Sequence, residues 1–412
     1  MPAMSISGRS VTTRMRPWHF VVAFGVVSLL ADMVYEGARS IIGPYLATLG
    51  ASATVVGLVA GAGEFIGYGL RVVTGYAVGR TRHYWGWTIL GYSMTVLSVP
   101  LIGATGVLAP ALVLYGTERL GKAVRSPAKD TLLSYAAART GRGSAFGVHQ
   151  ALDQTGALLG PLLLAAVLSW REGDYRLAFG ILAVPGVVLL VMLAWLRSRV
   201  PDPLDYEHGE ASTEHESTEQ DAQPSPAAAV PRLPGVFWQY VVVVAVLSAG
   251  VASFPLIAFH ALDARLVGDA TIPLLFALAM AVDGVSGLVV GRLYDAYGSR
   301  VLVAVPVAAA FAAVTFTPSL TLLWVGVAIW GIVNGVLDST VKAVVSEIVP
   351  SATRAAAFGW LALVRGLGLL VAGGLLGLAY ERGPVWAILL IVGTNAVALA
   401  GLVAILRRIE RH

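Results

Sequence analysis

The chain has no cysteine, and only 13% of its residues are charged, against about 25% in soluble domains. Without thiols there is no disulfide framework, no thiolate metal site and no thiol redox chemistry. The scarcity of charge excludes water as the main solvent: 57% of the 412 residues are hydrophobic and the mean hydropathy is +0.76. Further absences bear on function. There is no Gly-x-x-x-x-Gly-Lys-Ser/Thr phosphate loop, which disfavours direct ATP hydrolysis. There is no His-Glu-x-x-His and no cluster of three ligands, so neither a metal centre nor another cofactor is expected. A nucleophile and base at fixed spacing, which an intramembrane enzyme would require, is also missing.

What the chain does hold is apolar length. A span needs about 20 residues to cross a hydrocarbon core of about 30 Å. Segments of that kind fall near 18–47, 53–78, 84–106, 108–136, 144–169 and 175–198, and again near 235–261, 271–292, 299–317, 320–348, 355–379 and 384–407. The 46 glycines suit them, because small residues let membrane helices approach closely. The expected fold is an all-α membrane protein of twelve transmembrane helices in two pseudo-symmetric six-helix bundles, residues 18–198 and 235–407. A cytoplasmic tail, 1–17, precedes them and another, 408–412, follows. Between them, 199–234 reads as a flexible cytoplasmic linker rich in proline and acid. No cleavable signal is expected, since the apolar stretch after Arg9, Arg14 and Arg16 is too long for one.

Orientation follows from the basic residues, which are retained on the cytoplasmic side. With both termini inside, sixteen arginines lie in cytoplasmic segments and four outside: Arg171, Arg176, Arg265 and Arg382. This imbalance accounts for the pI near 9.3 without a nucleic-acid partner. The expected location is the cytoplasmic (inner) membrane, crossed many times by a monomer.

Ionisable groups at mid-bilayer are costly and usually functional. In helix 1, Asp32, Glu36 and Arg39 share one face, and in helix 4 Glu118, Lys122 and Arg125 repeat that spacing beside Arg119. Helix 5 adds His149 and Asp153, and helix 10 adds Asn334, Asp338 and Lys342. Glu64, Arg71, Asp283 and Arg365 read as buried ion-pair residues between helices, and Tyr35 and Trp330 as mid-helix aromatics that pack or stack.

The halves are related. Arg142-Gly143-Ser144-Ala145-Phe146-Gly147 matches Arg354-Ala355-Ala356-Ala357-Phe358-Gly359, and Ser126 and Lys129 match Ser339 and Lys342, at nearly one offset. A receptor would not require such a duplication. Between helices 8 and 9 the run from Gly291 through Asp295 and Gly298 to Arg300 resembles the loop signature of the major facilitator superfamily. A tight glycine turn there would let Asp295 face a neighbouring helix N-terminus. The first-half counterpart, Gly75 to Arg82 with Arg80 inside it, has glycine where the signature has aspartate. Gly156, Gly160 and Pro161 in helix 5 are similar to the Gly-x-x-x-Gly-Pro element of the superfamily's antiporters, a pattern that close helix packing explains equally well.

This resemblance implies a secondary transporter working by alternating access, with helices 1, 4, 7 and 10 lining a central cavity. It makes Asp32, Glu36, Asp153 and His149 candidates for proton coupling. Tyr35, Arg39, Glu118, Arg119, Lys122, Arg125, Asn334, Asp338 and Lys342 become candidates for the substrate cavity. The expected activity is proton-coupled efflux of a small organic solute or drug. Symport of an anionic or zwitterionic solute and export of a divalent metal ion are the alternatives.

Overall fold

The computed structural model describes residues 15–203, 206, 233–350 and 353–409. Most of the N-terminal tail, most of the linker and the last three residues of the C-terminal tail lie outside the described residues. Fourteen α-helices are formed among the described residues, with no strand. The first half contains α1 (Pro17–Thr48), α2 (Ala53–Thr81), α3 (Tyr84–Thr105), α4 (Leu108–Thr140), α5 (Arg142–Trp170), α6 (Tyr175–Ile181) and α7 (Ala183–Arg199). The second contains α8 (Gly235–Ala249), α9 (Phe254–Asp263), α10 (Thr271–Tyr297), α11 (Ala304–Ala312), α12 (Leu320–Ile348), α13 (Arg354–Glu381) and α14 (Pro384–Ile409).

Local chemistry sets the ends. Pro17 opens α1, where a missing N–H costs nothing. Ser52 caps α2 by accepting from Val55 N–H at 3.4 Å, and Asp174 caps α6 by accepting from Leu177 N–H at 2.9 Å. Arg354 closes α12 from outside, donating to the carbonyls of Ser346 at 2.8 Å and Val349 at 3.2 Å.

Three expected continuous helices are interrupted. The sixth divides at Leu182, because Pro185 has no N–H to give the carbonyl four residues earlier. The seventh breaks over 250–253, between α8 and α9, just before Pro255. That break is held by two side chains: Trp330 Nε1 donates to the Ala252 carbonyl at 2.7 Å, and Asn395 Nδ2 to the Gly250 carbonyl at 2.8 Å. The ninth is α-helical only over α11, with 3₁₀ turns at Gly298–Val303 and Ala313–Phe316.

Among the described residues ten helical stretches are long and apolar enough to cross a membrane. One of them runs the 46 residues of Thr271–Phe316. α4 is not among the ten, its middle being loaded with Glu118, Arg119, Lys122, Arg125, Lys129 and Asp130.

The halves meet most extensively through α2 and α13. Gly57 and Gly61 on one helix face Gly373 and Gly377 on the other, so closely that a Cβ on Gly57 would strike the Gly373 carbonyl and one on Gly373 would strike that of Gly57. At the same end Glu381 accepts from Thr54 N–H at 3.0 Å and Tyr175 donates to Asp269 at 2.7 Å. Gly43 lies against Pro255 there as well.

Candidate functional site

Between the halves lies a polar cavity in two connected parts. The inner chamber has a volume of about 230 Å³. Its walls come from α1, α2, α4 and α5 on one side and from the α8–α9 break, α10, α12 and α13 on the other. The wider part, about 870 Å³, shares Asp32, Tyr35, Lys122, Asp153, Asp283 and Asp338 with it and runs on to Asp130, Gly147, Leu288 and Lys342. It therefore widens away from the end where Glu381 and Asp269 tie the halves together.

Of the candidates from sequence, Asp32, Tyr35, Glu36, Arg39, Lys122, Asp153, Asn334 and Asp338 line the inner chamber, and Arg125 and Lys342 line the wider part. Three stand elsewhere. Glu118 and Arg119 are each 1% exposed and line neither part; Arg119 Nε lies 2.9 Å from Glu118 and its Nη1 3.5 Å from Glu64. His149 is buried behind the wall, with Nε2 3.3 Å from Ser28 Oγ and 3.3 Å from Lys129 Nζ. The helical periodicity was right in each case, but neighbouring helices cover these positions.

The charges form a chain of pairs. Arg39 lies 3.1 Å from Glu64 and 3.4 Å from Glu36, so two carboxylates of α1 and α2 share one guanidinium. Lys129 lies 3.8 Å from Asp153, and Arg365 lies 2.8 Å from Asp338. Glu64 and Arg365 thus act as the ion-pair residues expected. Arg71, by contrast, meets Arg365 over Tyr68, each 5.3 Å from its ring centre. Arg125 donates to Thr95 Oγ1 at 2.8 Å, and Lys122 sits over the Tyr35 ring at 4.2 Å. Asp32 and Asp283 line both parts of the cavity, and neither side chain has a hydrogen bond or ion pair among the described residues. Asp283 was therefore misjudged from sequence as an ion-pair residue. The hint was its near mid-helix position on α10; its missing partner is visible only in three dimensions.

The inner chamber carries six carboxylates: Asp32, Glu36, Glu64, Asp153, Asp283 and Asp338. It carries three cations, Arg39, Lys122 and Arg365. Among the described residues no group of three His, Asp or Glu side chains is placed to hold a metal ion.

The gating-loop residues depart from expectation. Gly291 and Asp295 are still within α10, and the turn comes at Gly298 with φ +63°. Asp295 is exposed in the last helical turn and makes no hydrogen bond or ion pair among the described residues, so it does not cap a neighbouring helix. Tyr294 makes the contact there, donating to Glu347 at 2.6 Å. Arg300 is exposed in the 3₁₀ turn that follows. Gly75 and Arg80 are likewise helical, and α2 turns only at Arg82, φ 54°. In α5, Gly156 lies against the Leu29 carbonyl and Gly160 against the Met33 carbonyl, while Pro161 is buried. The element seats α5 on the stretch of α1 that carries Asp32.

Two helical halves around a charged cavity, with apolar helices outside, define a multi-pass membrane transporter rather than an enzyme. The chain belongs to the Major Facilitator Superfamily, which it matches over residues 22–373 and 262–412. It is 43% identical to an uncharacterized protein of Mycobacterium tuberculosis over 391 residues, 94% of this chain and 93% of that one. It is 29% identical over 183 residues to an uncharacterized MFS-type transporter of Methanocaldococcus jannaschii, 44% of this chain and 46% of the relative. Its fold is shared with a POT family transporter solved with 5-aminolevulinic acid (TM-score 0.75, 13% identity, 96% of both chains). It is shared too with the nucleoside transporter NupG (TM-score 0.71, 13% identity, 94% of this chain and 99% of that one).

Proposed function

We propose that this protein is a secondary transporter that exports a small organic solute in exchange for protons, by alternating access. The reading has twelve crossings. The ten apolar stretches become eleven when Thr271–Phe316 turns back at Gly298, and α4 is the twelfth, its charges turned inward. The excess of arginine puts both termini and the wide mouth of the cavity on the cytoplasmic side of the cytoplasmic membrane. One chain encloses the whole cavity, which suits a monomer.

The observation that carries the reading is the isolation of Asp32. Arg39, the cation on its own helix face, is held by Glu36 and Glu64 at 3.4 and 3.1 Å. Among the described residues Asp32 therefore lines the cavity with no direct partner, free to exchange a proton with whichever side the cavity faces. Solute and proton then compete for one carboxylate, and competition for a single site is what couples antiport. Asp153, tied to Lys129, stands next to this carrier. Lys122 and Lys342 face the cavity with no carboxylate partner among the described residues, and they favour the second reading, symport of an anionic or zwitterionic solute.

The test is purified protein in proteoliposomes with a pH dye inside. Antiport predicts that solute moving out of the lumen acidifies it, whereas symport predicts alkalinisation. No solute-dependent proton movement would defeat both.

A further inference from the structure

The inner chamber contains something the transport cycle above does not use: a polar wall on the second half with no assigned occupant. Ser248 on α8 is 1% exposed, lines the chamber, and its hydroxyl has no hydrogen-bond partner among the described residues. A buried hydroxyl on a helix normally returns its proton to a carbonyl one turn back; this one makes no such bond. Asp283 on α10 lines the same chamber, also without a partner among the described residues. It has room because α12 has glycine opposite: a Cβ on Gly335 would come within 2.7 Å of Asp283 Oδ1. Trp330, whose Nε1 is tied to the Ala252 carbonyl at 2.7 Å, adds an aromatic surface held in a fixed orientation.

Two carboxylates from opposite halves without partners, an orphan hydroxyl and a fixed indole are what an ammonium group requires: anionic acceptors, a neutral acceptor and a π face. The arginines that would have suited an anion are spent, Arg39 on Glu36 and Glu64 and Arg365 on Asp338. We propose that the inner chamber is an organic-amine site, with the substrate ammonium taken between Asp32 of the first half and Asp283 and Ser248 of the second. This rests on the transport reading and supplies its substrate class. At about 230 Å³ the chamber has room for a small amine. Because the ammonium touches both halves, its departure as the halves rock apart leaves Asp32 to be reloaded with a proton.

The test is thermal stabilisation of the purified full-length chain by butylamine, phenethylamine and 1,4-diaminobutane. Each amine is paired with its uncharged alcohol, and phenylacetate is the anionic control. The site predicts stabilisation by amines over alcohols. Asp283→Asn should weaken amine binding roughly 10- to 100-fold and Ser248→Ala roughly 2- to 10-fold, with the ligand-free melting temperature of each variant checking the fold. Stabilisation by phenylacetate alone, or amine binding unchanged in folded Asp283→Asn, overturns the amine site while leaving the transporter reading intact. Amine binding that depends on Asp283, in vesicles that move no protons, keeps the site and removes proton coupling.

Discussion

The contact between α2 and α13 offers a direct way to shift the conformation. Gly57 and Gly373 stand so close that each lacks room for a single methyl against the other's carbonyl, with Gly61 and Gly377 extending the contact by a turn on each helix. In Gly57→Ala/Gly373→Ala the helices must separate by roughly 1 Å to regain ordinary contact distances. Overpacking of this kind costs about 1–3 kcal/mol per site. If only about 2 kcal/mol falls on the closed arrangement, the equilibrium moves by about 30-fold toward states in which this end is open. The natural absence of cysteine makes the readout clean. Gln150, which lines both parts of the cavity, can be replaced by Cys and labelled in inverted and right-side-out vesicles with an impermeant maleimide. Labelling from the side of the Glu381 closure should rise on the order of 30-fold in the double variant. An unchanged labelling rate with a lower melting temperature would refute the reasoning, because the contact would then be static packing and no gate.

Two further changes separate structure from function. Trp330→Phe removes the donor to the Ala252 carbonyl at the α8–α9 break and should lower unfolding stability by about 1–3 kcal/mol; equal stability in a denaturant titration would mean that the break holds itself. Glu64→Ala strips one carboxylate from Arg39 and from Arg119, leaving them Glu36 and Glu118 respectively, and should cost about 1–3 kcal/mol. A normally stable variant that no longer transports would instead put Glu64 in the transport path.

Much of the architecture was legible because membrane helices announce themselves by apolar length and glycine, and the charged stripes by helical spacing. Asp32, Glu36 and Arg39 share the cavity face, as seven residues of periodicity require. The same logic failed for Glu118 and Arg119. They share α4 with Lys122, yet Glu64 and Gly63 of α2 lie against Arg119, and nothing in one helix's sequence reveals what a neighbour covers. Asp283 failed in the opposite sense: burial was foreseen and a partner assumed, but the space beside it comes from Gly335 on another helix. Local breaks such as that before Pro255 were obscured by continuous hydrophobicity, since apolar composition reports depth in a membrane and says little about backbone shape. The turn after α10 came at Gly298, beyond Asp295, because a glycine permits a turn without requiring one.

The most direct test of the central claim compares Asp32→Asn with the wild type in one set of vesicles, measuring solute transport driven by a pH gradient and solute exchange with no gradient. One pH unit is worth about 1.4 kcal/mol, a tenfold solute gradient for each proton exchanged. Wild-type vesicles should reach that gradient, whereas Asp32→Asn should exchange solute but accumulate none. Accumulation by the variant that still follows pH would contradict this and place the coupling proton on another carboxylate.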